Sequence, residues 1–304
     1  MMGKKFWMVL LVLVFLAGGG FYAWHRHALS VSEENRDVQD LSNMYEAEKE
    51  TEQAVNQFRK DPGAKKARII HPLSDTGNHV YLYFDGLPDR AMTEEILKVL
   101  DKKEAKAAFF VEGQNAGDSP ETMKEISKHR QMIGNYTWLG RPSLEKLDEE
   151  KAIRSLLRTQ KAVDTLTGKS PSFFRAPRTE YTDTLLEEAG AAGLSYAVLS
   201  NVTVRRGELA DEEAARKLAA GVKPGSLIAF EINRPLDMRA REPGKSDERP
   251  AIDKKPTIRD GDYKEKTERK DHTAEEVERL VSALEEEGFT LLSLDSDVLL
   301  SGLK

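Results

Sequence analysis

The sequence predicts an α/β fold built on a parallel sheet. Three observations carry that expectation. Between residues 66 and 236, apolar runs of strand length alternate with amphipathic stretches of helix length. Gly, Pro, Asp and Thr punctuate those stretches where caps and turns are needed. After one polar interruption the alternation resumes and closes on a helix followed by a strand.

The chain opens "MMGKKFWMVLLVLVFLAGGGFYAWHRH", with no charge over the 19 residues Phe6–Trp24. That length spans a bilayer core as a helix. Trp7, Tyr22 and Trp24 stand where interfacial aromatics are favoured, and Lys4 and Lys5 favour an N-terminus left inside. Residues 1–27 therefore read as a cytoplasmic tip and a transmembrane signal-anchor, with the rest of the chain outside the cell membrane. A cleaved signal peptide is the rival, because the densest apolar run is short and small residues follow it. Residues 28–65 read as a charged helical stalk that stops at Asp61-Pro62-Gly63, a solvated spacer rather than a coiled coil.

The domain proper is expected over 66–298. Val80–Phe84 and Ala107–Val111 read as strands, Met92–Lys103 and Pro120–His129 as helices. Leu147–Leu166 reads as a long helix opened by Asp148-Glu149-Glu150. Pro171–Phe174, Ser195–Leu199 and Ser226–Glu231 follow as strands, with helices Thr182–Ala192 and Asp211–Ala220 between them. Residues 237–272 are dense in charge, Pro and Gly and read as a flexible insertion. Thr273–Glu287 then reads as a helix capped by Thr273 with Glu276 three residues on, and Phe289–Leu294 as the last strand.

Bulk chemistry narrows the function. The 304 residues carry a net charge of −6, which argues against nucleic acid as a partner. The absence of Cys removes disulfides, thiolate metal sites and a Cys nucleophile, and suits a location outside the cytoplasm. The six His (25, 27, 71, 79, 129 and 272) include no pair at metal-binding helical spacing. They read as surface or capping residues, His79 at the solvent end of its strand. One feature does point to chemistry. The strand Val80–Phe84 ends in Asp85-Gly86-Leu87-Pro88, an acid set at a strand mouth beside a turn.

Six stretches in order resemble the polysaccharide deacetylase family of metal-dependent esterases. They are "YFDGLP", "KAAFFVEGQNA" (106–116), "IGNYTW" (133–138), "SFFRAP" (172–177), "KPGSLIAFE" (223–231) and the closing "HTAEEVERLVSALEEEGFTLLSL". The resemblance implies an irregular (β/α) barrel. It also implies a site in which one Asp is the general base, while a second Asp and two His hold a divalent metal, usually zinc, that polarises the acetyl carbonyl.

Carried over residue by residue, that site is degenerate. Asp85 matches the base, but the second Asp falls on Gly86, the first His on Tyr136, and the second His on Gly140 or Arg141. None of these replaces a carboxylate or a neutral imidazole. No metal is therefore expected. Arg175 matches the residue that orients the base, Glu231 falls where the general-acid His stands, and Arg178 replaces an aromatic. Asp85 and Arg175 are expected to form an ion pair that holds the mouth together. Tyr136, Trp138 and Tyr181 are candidate stacking faces for sugar rings, with core packing an equal alternative for Trp138. Arg178 is a candidate polar contact.

The resulting expectation is a membrane-anchored, extracytoplasmic, catalytically inactive deacetylase-like protein that binds cell-wall glycan or a partner protein. The alternative is an active N-deacetylase of peptidoglycan or chitin-type carbohydrate, using Asp85 and Glu231 without the metal triad. Paired carboxylates about 5–10 Å apart do serve hydrolysis elsewhere, but without an electrophile they supply only about 10²–10⁴-fold.

Overall fold

The computed structural model describes residues 47–72, 77–232 and 272–296. The expected membrane helix, the first half of the stalk and nearly all of the insertion lie outside the described residues. No described helix is long and apolar enough to cross a membrane.

The described chain begins with α1 (Ala47–Lys60), then β1 (Arg68–Ile70), β2 (His79–Asp85), α2 (Arg90–Lys102) and β3 (Ala107–Val111). There follow α3 (Gly113–Asp118), α4 (Pro120–Lys128), β4 (Met132–Asn135), α5 (Glu149–Thr167) and β5 (Phe173–Phe174). Then come α6 (Asp183–Ala191), β6 (Tyr196–Val198), β7 (Val202–Arg205), α7 (Glu212–Ala219), β8 (Leu227–Glu231), α8 (Thr273–Glu286) and β9 (Thr290–Leu291). Every strand pairing is parallel, in the order β1-β6-β5-β4-β3-β2-β8-β7, with β9 joined to the start of β2.

The sheet curls strongly. β2 and β6 stand four places apart in it, which would separate them by roughly 19 Å if it were flat. Yet the Tyr83 hydroxyl donates to the Leu199 carbonyl just beyond β6 at 2.7 Å. Among the described residues β1 and β7 do not pair, so the sheet is a half-barrel rather than a closed one.

Period-two alternation divides the core in two. Even-numbered residues of β2 (Val80, Leu82, Phe84) join Phe109, Ile228 and Phe230 outside, against α2, α7 and α8. Odd-numbered residues (Tyr81, Tyr83) join Phe110, Tyr136, Phe173 and Ala229 inside the curl. Both faces are buried, so β2 reads as a nearly continuous apolar run. The same alternation turns the carboxylate of Asp85 inward, at the C-terminal mouth.

Helix ends follow their capping residues. Asp89, Asp148, Thr182 and Asp211 each accept a backbone N–H from the first turn, and Gly168 ends α5 at φ +72°. One expected cap is corrected. α8 starts from His272 without a side-chain cap, and Glu276 turns away to accept the N–H groups of Gly207 and Leu209. Those loop amides, lacking ladder partners, draw the buried carboxylate more strongly than the helix start does.

The second half of the expected stalk is also corrected. α1 is helical, but it is no solvated spacer. Val55 and Phe58 are buried against Ile153 of α5, with Ala191 of α6 packed beside them. The chain then crosses α6 at Gly190, where a β-carbon would lie 2.4 Å from the Lys65 carbonyl oxygen. His79 is likewise not at a solvent end: it opens β2 half-buried, with Nδ1 enclosed and without a hydrogen bond among the described residues.

Candidate functional site at the sheet mouth

The inward residues at the C-terminal ends of the strands build one constellation. Asp85 ends β2, and its register partner on β8 is Glu231, which in turn registers with Arg205 on β7. Glu112 follows β3, Tyr136 follows β4 and Arg175 follows β5. Local backbone sets their directions. Thr137 holds φ +63°, unusual for a β-branched residue, and this kink separates Tyr136, turned inward, from Trp138. Fully buried Asn135 secures the kink: its Oδ1 accepts Thr137 N–H at 2.9 Å and its Nδ2 donates to the Leu156 carbonyl at 2.9 Å.

Arg175 holds Asp85 in a two-bond fork, with Nε to Oδ1 and Nη2 to Oδ2 both at 2.8 Å. Its Nη1 donates to the Val198 carbonyl at 2.7 Å and to the Tyr83 hydroxyl at 3.1 Å. Burial draws the Arg175 pKa down, but Asp85, Tyr83 and Tyr181 together push it well above the usual arginine value. Arg175 is a permanent cation, and both oxygens of Asp85 are committed to it.

The other acids are placed differently. The Glu231 side chain is 40% exposed, with Arg205 Nε 3.4 Å away. Arg205 is also reached by Glu208 at 3.3 Å. Glu112 is buried and accepts the Leu87 N–H at 2.9 Å. Tyr136 is 4% exposed. Burial first, and the Asp85 charge second, raise its hydroxyl pKa well above 10, so the phenol stays protonated.

Residues 73–197 match the family model for polysaccharide deacetylase. The chain carries a polysaccharide deacetylase domain. A peptidoglycan-N-acetylglucosamine deacetylase of Bacillus cereus is 30% identical over 149 residues, 49% of this chain and 54% of the relative. The chain thus spans about half the length of that protein. A chitooligosaccharide deacetylase of Sinorhizobium fredii is 28% identical over 226 residues, 73% of this chain and 94% of the relative. A pseudoenzyme of carbohydrate esterase family 4 from Bacillus anthracis shares the fold, with TM-score 0.54 and 16% identity over 75% of this chain and 66% of its own.

In this deacetylase domain the residues at the family's metal positions do not fit a metal. Gly86 has no side chain and holds φ +97°, where an L-residue is strained. Tyr136 presents a protonated phenol. Gly140 holds φ +60°, and a β-carbon there would lie 2.9 Å from Cγ of Glu112. Glu112 thus fills the space that a side chain at 140 would need. Among the described residues no three His, Cys, Asp or Glu gather as a metal site.

The candidate aromatics part company. Tyr136 is too enclosed to offer a ring face to a sugar. Trp138 packs away from the mouth, under the Arg158 guanidinium at 4.0 Å from its ring centre and against Gly113. Packing in the inner cluster therefore describes Tyr136, while half-buried Trp138 has a ring face taken by the Arg158 guanidinium. Half-buried Tyr181 stands edge-on to Phe174, its hydroxyl accepting the Ala176 N–H at 3.0 Å, and props the loop after Arg175. Arg178 is exposed with φ +45°. Sequence reading missed Glu112, although a charge placed directly after five buried residues was visible in "AAFFVEG". It also missed Tyr83 and Arg205, whose roles depend on strand neighbours.

Proposed function

We propose that this is a membrane-anchored, extracytoplasmic deacetylase-like protein without deacetylase activity, whose mouth binds cell-wall glycan. The donor set carries the reading. Gly86, Tyr136 and Gly140 or Arg141 match the positions where the family holds its metal, and Asp85, the matching base, has both oxygens bound by Arg175. That fork alone does not activate water, and among the described residues no metal-site cluster supplies an electrophile for an acetamide. The named activities of the relatives support polysaccharide as the ligand class. The anchor rests on the uncharged run Phe6–Trp24.

Full-length protein in detergent, incubated with N-acetylglucosamine oligomers and peptidoglycan plus zinc or cobalt, is expected to release no acetate while being retained by peptidoglycan. Metal-stimulated acetate release that vanishes in Asp85→Asn would overturn the inactive reading. Absence of retention would leave a partner protein as the ligand. The register that sets Asp85 beside Glu231 supports the metal-free hydrolase alternative. Acetate release in chelator, lost in Glu231→Gln, would establish it.

A further inference from the structure

We propose that the mouth selects the free amino group of a de-N-acetylated hexosamine over its acetylated form. The inference rests on the glycan reading and names the sugar chemistry that the site takes.

The first observation is the balance of charge. Asp85 and Arg175 cancel in their fork. Glu231 and Glu208 then share the single guanidinium of Arg205, at 3.4 and 3.3 Å. Both contacts are long for charge-assisted bonds, and the Glu231 side chain is 40% exposed. Two carboxylates on one guanidinium leave an anionic surplus at this edge of the mouth.

The second observation is independent. The Tyr136 side chain belongs to the inner cluster and is 4% exposed, yet its hydroxyl makes no hydrogen bond to a described residue. It lies within the electrostatic reach of Asp85, Arg175, Glu112 and Tyr181. A phenol oxygen can accept a hydrogen bond from a ligand donor.

Ligand chemistry follows from these groups. An acetamide brings a carbonyl oxygen, which needs donors or a metal cation, and only one N–H. An ammonium brings three donors and a positive charge. Carboxylates accept the second far better than the first. With donors at the metal positions gone and acids left around them, the site suits the product of deacetylation rather than its substrate.

The test is calorimetry with full-length protein in detergent, comparing a chitotetraose with the fully de-N-acetylated glucosamine tetramer. The amine tetramer is expected to bind about tenfold or more tightly, as for hydrogen bonds to charged groups. Glu231→Gln should remove most of that preference by weakening the amine tetramer. Tyr136→Phe should weaken the amine ligand. Glu213→Gln, on the exposed surface of α7, controls for diffuse attraction of a polycation and should change nothing. Equal or tighter binding of chitotetraose overturns the amine preference but leaves the glycan reading standing. Equal losses in Glu213→Gln and Glu231→Gln would also overturn it, because attraction would then be unlocalised. Binding of neither sugar overturns both readings.

Discussion

Arg175, just past β5, reaches over the two intervening strands β4 and β3 to close a two-bond fork on Asp85 of β2, both contacts at 2.8 Å. The side chains are 12% and 4% exposed, so the pair lives in a poorly solvated place. Removing one member strands the other's charge, which typically costs about 3–5 kcal/mol. Arg175→Met should lower the unfolding free energy in urea by that amount. The double variant Asp85→Leu with Arg175→Met should recover most of it. A single variant as stable as the parent would show that the fork does not hold the mouth.

Restoring the family's ligands should not by itself restore a metal centre. Gly86→Asp, Tyr136→His and Gly140→His together place side chains at φ +97° and +60°. The last also meets Glu112 Cγ. Zinc titration is expected to show no tight site in this triple variant, and tighter binding once Glu112 is shortened to Ala. Equal affinity with and without Glu112 would contradict the steric argument.

Asn135 secures the Thr137 kink through two buried hydrogen bonds. Asn135→Ala leaves the Thr137 N–H and the Leu156 carbonyl without that partner. A loss of about 2–3 kcal/mol is expected from unsatisfied buried groups. Near-ultraviolet dichroism should report a changed Tyr136 environment, and an unaltered spectrum would mean the kink holds without Asn135.

Glu276 pins the turn after β7, accepting the Gly207 N–H on both oxygens. Glu276→Ala should cost about 2 kcal/mol by the same reasoning. Amide exchange at 205–209 should accelerate. Unchanged protection there would show that Arg279, which donates to the Leu209 carbonyl, suffices.

Buried Glu188 on α6 has its carboxyl pKa pushed up to about 7 from 4.5, by burial first and by Glu149 and Asp148 second. An acid with a raised folded pKa binds its proton more tightly in the native state. Stability is therefore full below pH 4.5, falls as pH rises toward about 7, and is level above. Glu188→Gln should flatten that window in urea melts at pH 4.5, 6 and 8. An identical slope in the variant would exclude Glu188 as its cause.

Much of the fold is legible in the sequence. β3 falls on Ala107–Val111 as expected, and α2, α4, α5, α6 and α7 match within one or two residues. Their apolar periodicities are long and their caps local. β1, β7 and α3 went unread because three to six residues carry too little pattern. β4 was seen only as a motif, since Gly134 breaks its strand character. At the site, Asp85, Arg175 and Glu231 were named and do gather at one mouth. Tyr136 and Trp138 were named together, and the left-handed Thr137 between them sends them apart.

The sequence alone determined that Asp85 ends an apolar strand and that Gly86, Tyr136 and Gly140 or Arg141 fall where the family resemblance puts metal ligands, since residue identity sets donor chemistry before folding. Only the tertiary structure decided which groups meet. The curl of the sheet brings Arg175 to Asp85, sets Glu231 between Asp85 and Arg205, and turns Glu112 into the space beside Gly140. Contacts between residues tens of positions apart depend on sheet order and curvature, and no local pattern in the chain encodes those.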